Sequence, residues 1–322
     1  MRGTVLPFPV IYSCVKEWCT LVNNMMNRRR PLWKRICCAV VLWSAPILVQ
    51  ASEVRELIVG PVHLDARTMA RHHLPAGEQV IQFTEDMWLI SIESHLIDAA
   101  GNSLPSQLLC HTNLFDAPEN LLPDNLRPYL AWSSDMSPVQ FPEGTGVPIH
   151  AGRPYRWVTF FQNPFPQGYR DVYLQVKLTL EPMRTEPQRQ SLQQAMLCVA
   201  GCSHHGYLAP PGRSVKQTEV RFPLAGRMVL MLSHLHQYGQ RLILEKVHEG
   251  EAPSLIWEAK PERRSGAGFR MPEWVSAPGL LVSPSDQFRL SAEYDNPTEQ
   301  DWPAMGMIFA FILPSPPSSE TH

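Results

Sequence analysis

Past residue 51 this chain has little of what several common functions need. It has no basic excess. Residues 52–322 hold 21 Lys and Arg against 29 Asp and Glu, a formal charge of −8. Such a surface neutralises no phosphate backbone, so nucleic-acid binding is excluded as a working reading. It has no apolar run long enough to span a bilayer. It has almost no helix-period apolar spacing, and 31 Pro and 18 Gly in 322 residues make turns frequent and long helices unfavourable. It also has few cysteines. Only Cys110, Cys198 and Cys202 remain, an odd number that leaves one thiol over if the other two pair.

The first 51 residues read differently. Arg28-Arg29-Arg30 and Lys34-Arg35 precede the apolar stretch Ile36–Val49, and Val49-Gln50-Ala51 is a small-x-small cleavage signal. That order predicts a secretory signal peptide, with Ser52 opening the mature chain. The apolar stretch is short for a span and is interrupted by Pro46. Residues 1–24 lie upstream of an ordinary signal, and Met25 or Met26 is the expected start. The predicted location is exported, either periplasmic or secreted, with no stable membrane span after cleavage.

What the rest contains is strand after strand. Runs such as Met87–Ile97, Arg156–Phe161, Asp171–Leu180, Arg227–Leu235, Gln287–Tyr294 and Met305–Leu313 are β-branched, aromatic or alternating, with Gly, Pro, Asn and Asp between them. The predicted fold class is all-β, with two consecutive jelly-roll β-sandwich domains. The first is expected over residues 52–182 and the second over 201–314. A Pro- and Gln-rich linker is expected at 183–200, and a polar tail at 315–322. Asn163-Pro164 and Asn296-Pro297 each follow an aromatic strand, which points to related halves.

One stretch carries chemistry. In Met228-Val-Leu-Met-Leu-Ser-His-Leu-His-Gln-Tyr-Gly239 an apolar strand ends in His234 and His236. Alternate strand residues share a face, so two imidazoles at this spacing aim at one point and make half of a copper or zinc site. Two surface histidines at a strand end would show the same spacing. Cys198 and Cys202, four apart, read as a disulfide or, with His204 or His205, as a metal cluster; an oxidising compartment favours the disulfide.

In order along the chain, Asp98–Pro105 with Leu109-Cys-His-Thr-Asn-Leu114, Asn163–Pro166 with Val172–Leu178, Pro210–Gly212 with His234–Gly239, and Tyr294–Thr298 with Pro303–Met307 resemble the copper type II, ascorbate-dependent monooxygenases, the family of peptidylglycine hydroxylase and dopamine β-hydroxylase. The likeness is greater to exported bacterial relatives. The resemblance implies two jelly rolls facing each other across an open cleft, each with one copper. It implies that His234 and His236 hold the O2-binding copper together with a methionine, Met305 by position or Met307 two residues on. His111 then matches one histidine of the first-domain site. Cys110 stands where its neighbour would be, and Gln162 near where a third would be. Adjacent strand residues face opposite ways, so Cys110 and His111 reach one ion only through a bulge. His95 and His150 are further candidates by sequence alone, and a surface or structural role is the stronger reading of each. The implied activity is an O2-activating oxidoreductase on a small organic substrate, with ascorbate or another external reductant. The incomplete first site leaves open a copper protein without catalysis, for storage, delivery or structure.

Overall fold

The computed structural model describes residues 52–68, 79–116, 128–136, 138–184, 188–202, 206–263 and 269–316. Residues 1–51, where a leader is expected, His204 and His205, and the residues from 317 onward lie outside the described residues.

Sixteen strands carry the fold. The first eight are β1 (Glu53–Leu64), β2 (Gln79–Ile81), β3 (Met87–Ile97), β4 (Leu109–Asp116), β5 (Leu130–Trp132), β6 (Thr145–Ile149), β7 (Tyr155–Phe161) and β8 (Tyr169–Pro182). The second eight are β9 (Gln193–Cys198), β10 (Gly212–Val220), β11 (Gly226–Leu235), β12 (Gly239–Val247), β13 (Ser254–Ala259), β14 (Glu273–Val282), β15 (Gln287–Asn296) and β16 (Gly306–Pro314). The first half forms sheets ordered β1-β8-β3-β6 and β2-β7-β4-β5. The second forms β9-β16-β11-β14 and β10-β15-β12-β13. Adding eight to each strand number converts one half into the other. All these pairings are antiparallel. This order is the eight-stranded jelly roll, so the chain is two jelly rolls in succession.

The two Asn-Pro signals mark equivalent corners. Asn163 follows β7 and Asn296 ends β15, and both are buried. In each, the side-chain oxygen accepts from the backbone N–H two residues on, Phe165 or Thr298, at 3.0 Å. In each, Nδ2 donates to the carbonyl four residues on, Gln167 or Gln300, at 2.8 Å. Nδ2 also reaches back toward the start of its half, to Leu64 and Asp65 in one case and to Ala209 in the other. An alanine at Asn296 strands these buried groups. The expected loss is about 2 to 3 kcal/mol of unfolding free energy, read from urea denaturation.

Residues 183–200 do more than connect. Gln190–Ser191 pairs in parallel with β6, and Gln193–Cys198 is strand β9 against β16. Gln194 also bonds both the N–H and the carbonyl of Ala131 on β5, at 2.7 and 2.8 Å, which ties the second half to the first.

The central strands β11 and β16 of the sheet β9-β16-β11-β14 are covered on both faces. Met231, Leu235, Ile308, Ala310 and Ile312 point into the second sandwich. Leu230, Leu232, Met307, Phe309 and Phe311 point the other way and merge with the core of the first half, with Phe311 edge-on to Phe141 at 5.0 Å. Strands buried on both faces read as continuous apolar runs, which is why β11 and β16 do not alternate in sequence. The open cleft implied by the resemblance is therefore absent along this contact: one apolar interior runs across it.

Candidate metal centre

β11 delivers the histidines. His234 is its penultimate residue, and His236 lies one residue past its end. The turn that follows puts Tyr238 in the left-handed region at φ 73°, while Gly239 itself is not left-handed. Gly239 is needed for space: a Cβ there would sit 2.9 Å from the Leu235 Cβ. Tyr294, buried in β15, fixes the strand end. Its hydroxyl accepts from the N–H of His236 at 2.9 Å and of Met305 at 3.1 Å, and donates to the Met305 carbonyl at 2.5 Å. Burial holds the Tyr294 phenol well above its usual range, so it stays a donor.

The first half delivers the third donor. Pairing of β4 with β7 slips between Leu109 and His111, which oppose Phe161 and Phe160 in succession. Cys110 is the extra residue of this bulge, and bulges re-aim side chains. The fully buried Cys110 Sγ meets His111 Nδ1 at 3.1 Å and His236 Nε2 at 3.4 Å. One donor atom from each of Cys110, His234 and His236 lies within 4.8 Å of the other two. Ligands bound to one ion at about 2.0–2.3 Å stand about 3.5 Å apart, so the cluster is near the spacing a metal requires.

The outer nitrogens of both histidines are anchored. His236 Nδ1 faces the Pro303 carbonyl at 3.3 Å, and His234 Nδ1 bonds Asp135 Oδ2 at 3.0 Å. Such outer contacts fix the tautomer and aim Nε2 inward, as in carboxylate–histidine–metal triads. His234 Nε2 is buried with no hydrogen-bond partner, as is Asp135 Oδ1. Without a metal, burial pushes the His234 imidazole toward neutrality, but the Asp135 charge and hydrogen bond outweigh it and raise the pKa to about 10. A buried nitrogen that faces the Cys110 thiol, next to a second inward imidazole, fits a metal ligand. Asp135, Ser133, Gln162, Pro164 and Gln237 join the histidines around a hollow of about 20 Å³, which holds about one water or ion.

Of the residues expected from sequence, His234 and His236 come together. His111 adjoins them through the Cys110 sulfur. Met307 sits directly across from His234 in the β11–β16 ladder, and Met305 is buried at the start of that contact, its backbone held by Tyr294. Gln162, near where the resemblance would put a first-domain histidine, lines the His234–His236 hollow instead, and the bulge turns Cys110 against His236 of the same pair. His95 and His150 stand elsewhere at the surface, beside Glu93 at 2.9 Å and Asp86 at 3.6 Å. Cys198 and Cys202 form a disulfide with an S–S distance of 1.96 Å, so neither is a ligand. Sequence reasoning missed Asp135, which stands 99 residues from its partner.

No family model matches the chain, and no curated protein matches it. Among solved structures it is similar to one titled "Structure of the Macrobrachium rosenbergii Nodavirus", at 9% identity over 97% of this chain and 96% of that one, with a TM-score of 0.19, a likeness too slight to carry an argument.

Proposed function

We propose that this is an exported copper-binding protein with a single mononuclear centre, built from His234, His236 and Cys110 with a methionine of β16 beside it. The observation that carries the reading is the pair of imidazoles with anchored outer nitrogens whose inward nitrogens meet one buried sulfur. Two imidazoles with thiolate and thioether sulfur form a soft donor set, which suits copper better than magnesium or calcium. The resemblance to copper type II monooxygenases in the His-x-His and methionine stretches supports the same metal. The Cys198–Cys202 disulfide supports an oxidising compartment.

Of the two activities the sequence leaves open, metal holding without substrate turnover has the better support. Small-molecule sites occupy roughly 300–1,000 Å³, whereas the hollow at this centre is about 20 Å³. Bound copper would supply one-electron redox chemistry. The protein's own groups would hold the imidazoles in one tautomer and keep the metal away from bulk water. The monooxygenase reading retains the His-x-His strand in its favour and requires the two halves to part. The test is elemental analysis of the purified chain. The expected result is about one copper per molecule, falling at least tenfold in His236→Ala. Oxygen uptake with ascorbate then separates the activities: none beyond the free-copper control supports a holding role, and sustained uptake coupled to an organic substrate supports the oxygenase.

A further inference from the structure

We propose that Cys110 is a thiolate ligand that makes this centre a one-electron carrier, and that His111 sets its potential and forms its port to solvent. The proposal rests on the copper reading above and goes beyond it.

The geometry singles out the sulfur. Cys110 is the free cysteine among the described residues, is fully buried, and is turned by the β4 bulge onto the inward nitrogens of the histidine pair. A buried structural cysteine would be expected to meet apolar neighbours; this one meets His111 and His236 at 3.1 and 3.4 Å. Two imidazoles and one thiolate, with a methionine opposite in the ladder, are the donor set of copper electron-transfer centres. Electron exchange also needs no substrate cavity. Bound copper would supply this one-electron chemistry, accepting an electron from a reductant of the ascorbate class and passing it to a one-electron acceptor such as ferricyanide, with no bond formed or broken. Asp135 and the Pro303 carbonyl would hold the outer nitrogens of His234 and His236 while it does so.

His111 differs from the ligands in two ways. It is half-buried, and its ring lies on half-buried Phe160 with centroids 4.6 Å apart. Cys110, His234 and His236 are all buried. The Cys110–His111–Phe160 line is thus a short path from the metal toward solvent. An N–H from His111 Nδ1 to the thiolate withdraws electron density from the sulfur, which favours Cu(I) and raises the potential.

The experiment loads the full chain with Cu(II) and reads its visible spectrum, copper content and reduction potential. The expected result is an intense sulfur-to-copper charge-transfer band, lost in Cys110→Ser while copper remains bound. His111→Phe keeps the band, lowers the potential and slows reduction by ascorbate at least tenfold. Co(II) loading of the unmutated protein gives a second readout, a sulfur-to-cobalt band, should Cys110→Ser fail to fold. Bound copper with only weak absorption and no sulfur band with cobalt overturns the thiolate proposal and leaves the copper reading standing. No bound copper in the unmutated chain overturns both. An unchanged potential and rate in His111→Phe overturns the role given to His111.

Discussion

Asp135→Ala is expected to destabilise the metal-free protein by about 3 kcal/mol and to weaken copper binding 10- to 100-fold. Asp135 is buried and its carboxylate bonds His234 Nδ1 at 3.0 Å. Breaking a buried ion pair by deleting one partner costs about 3–5 kcal/mol, because the remaining charge has no compensation. An imidazole can shed its proton, so the lower end applies here. The affinity loss has a separate cause. Without the carboxylate, the ring is free to change tautomer or rotate, and Nε2 is no longer aimed at the sulfur. Asp135→Asn separates the two effects, since its amide oxygen can still accept from Nδ1 while the charge is gone. Urea denaturation and competition against a calibrated copper chelator provide the measurements. If Asp135→Ala binds copper as tightly as the unmutated chain, the triad argument fails.

Stripping copper from a loaded centre is expected to lower the melting temperature by about 7 °C. A ligand held only by the folded state adds about 4 kcal/mol at a thousand times its dissociation constant. At about 2.1 cal/mol/K of unfolding entropy per residue, a folded chain of about 270 residues moves its midpoint by about 1.8 °C per kcal/mol. The donors here come from both jelly rolls, Cys110 from β4 and the histidines from β11 and its end. A metal held by these donors would therefore join the halves as well as fill a site. Cys110→Ser should keep less than half of the copper-dependent shift, while a variant outside the centre such as His95→Ala should keep all of it. Scanning calorimetry with and without chelator provides the measurement. Identical midpoints for the loaded and stripped protein would show that no metal is bound in the fold.

Much of the architecture could be read from the chain, for physical reasons visible in particular residues. The β11 run is apolar enough to be a strand in any context, and alternation alone puts His234 and His236 on one side. The Asn-Pro corners announced the repeat because an asparagine that bonds two residues ahead and four residues ahead needs that side chain at that place. Cys198 and Cys202 lie close enough in sequence for a disulfide to be read directly. The centre itself was only half legible. Whether Cys110 faces one sandwich or the other depends on a bulge, a one-residue slip of register that no pattern in Leu109-Cys110-His111 encodes. Asp135 reaches His234 because the chain after β5 is pressed against β11, a contact set by apolar burial elsewhere, at Met136, Val139 and Phe141. Strand β9 was hidden for a related reason. Its glutamines suggest a linker, whereas its alternate residues Ala195 and Leu197 fill the second core.

The sheet between the two sandwiches has a consequence for how the molecule can come apart. Its strands belong to the second jelly roll by hydrogen bonding, but half of their side chains belong to the interior of the first. A cut between β8 and β9 would not yield two independent modules. It would leave Leu230, Leu232, Phe309 and Phe311 facing water on one fragment, and the partners they cover equally bare on the other. The two copies of the fold thus share an inheritance of topology without autonomy, and the chain is bound to melt as one body.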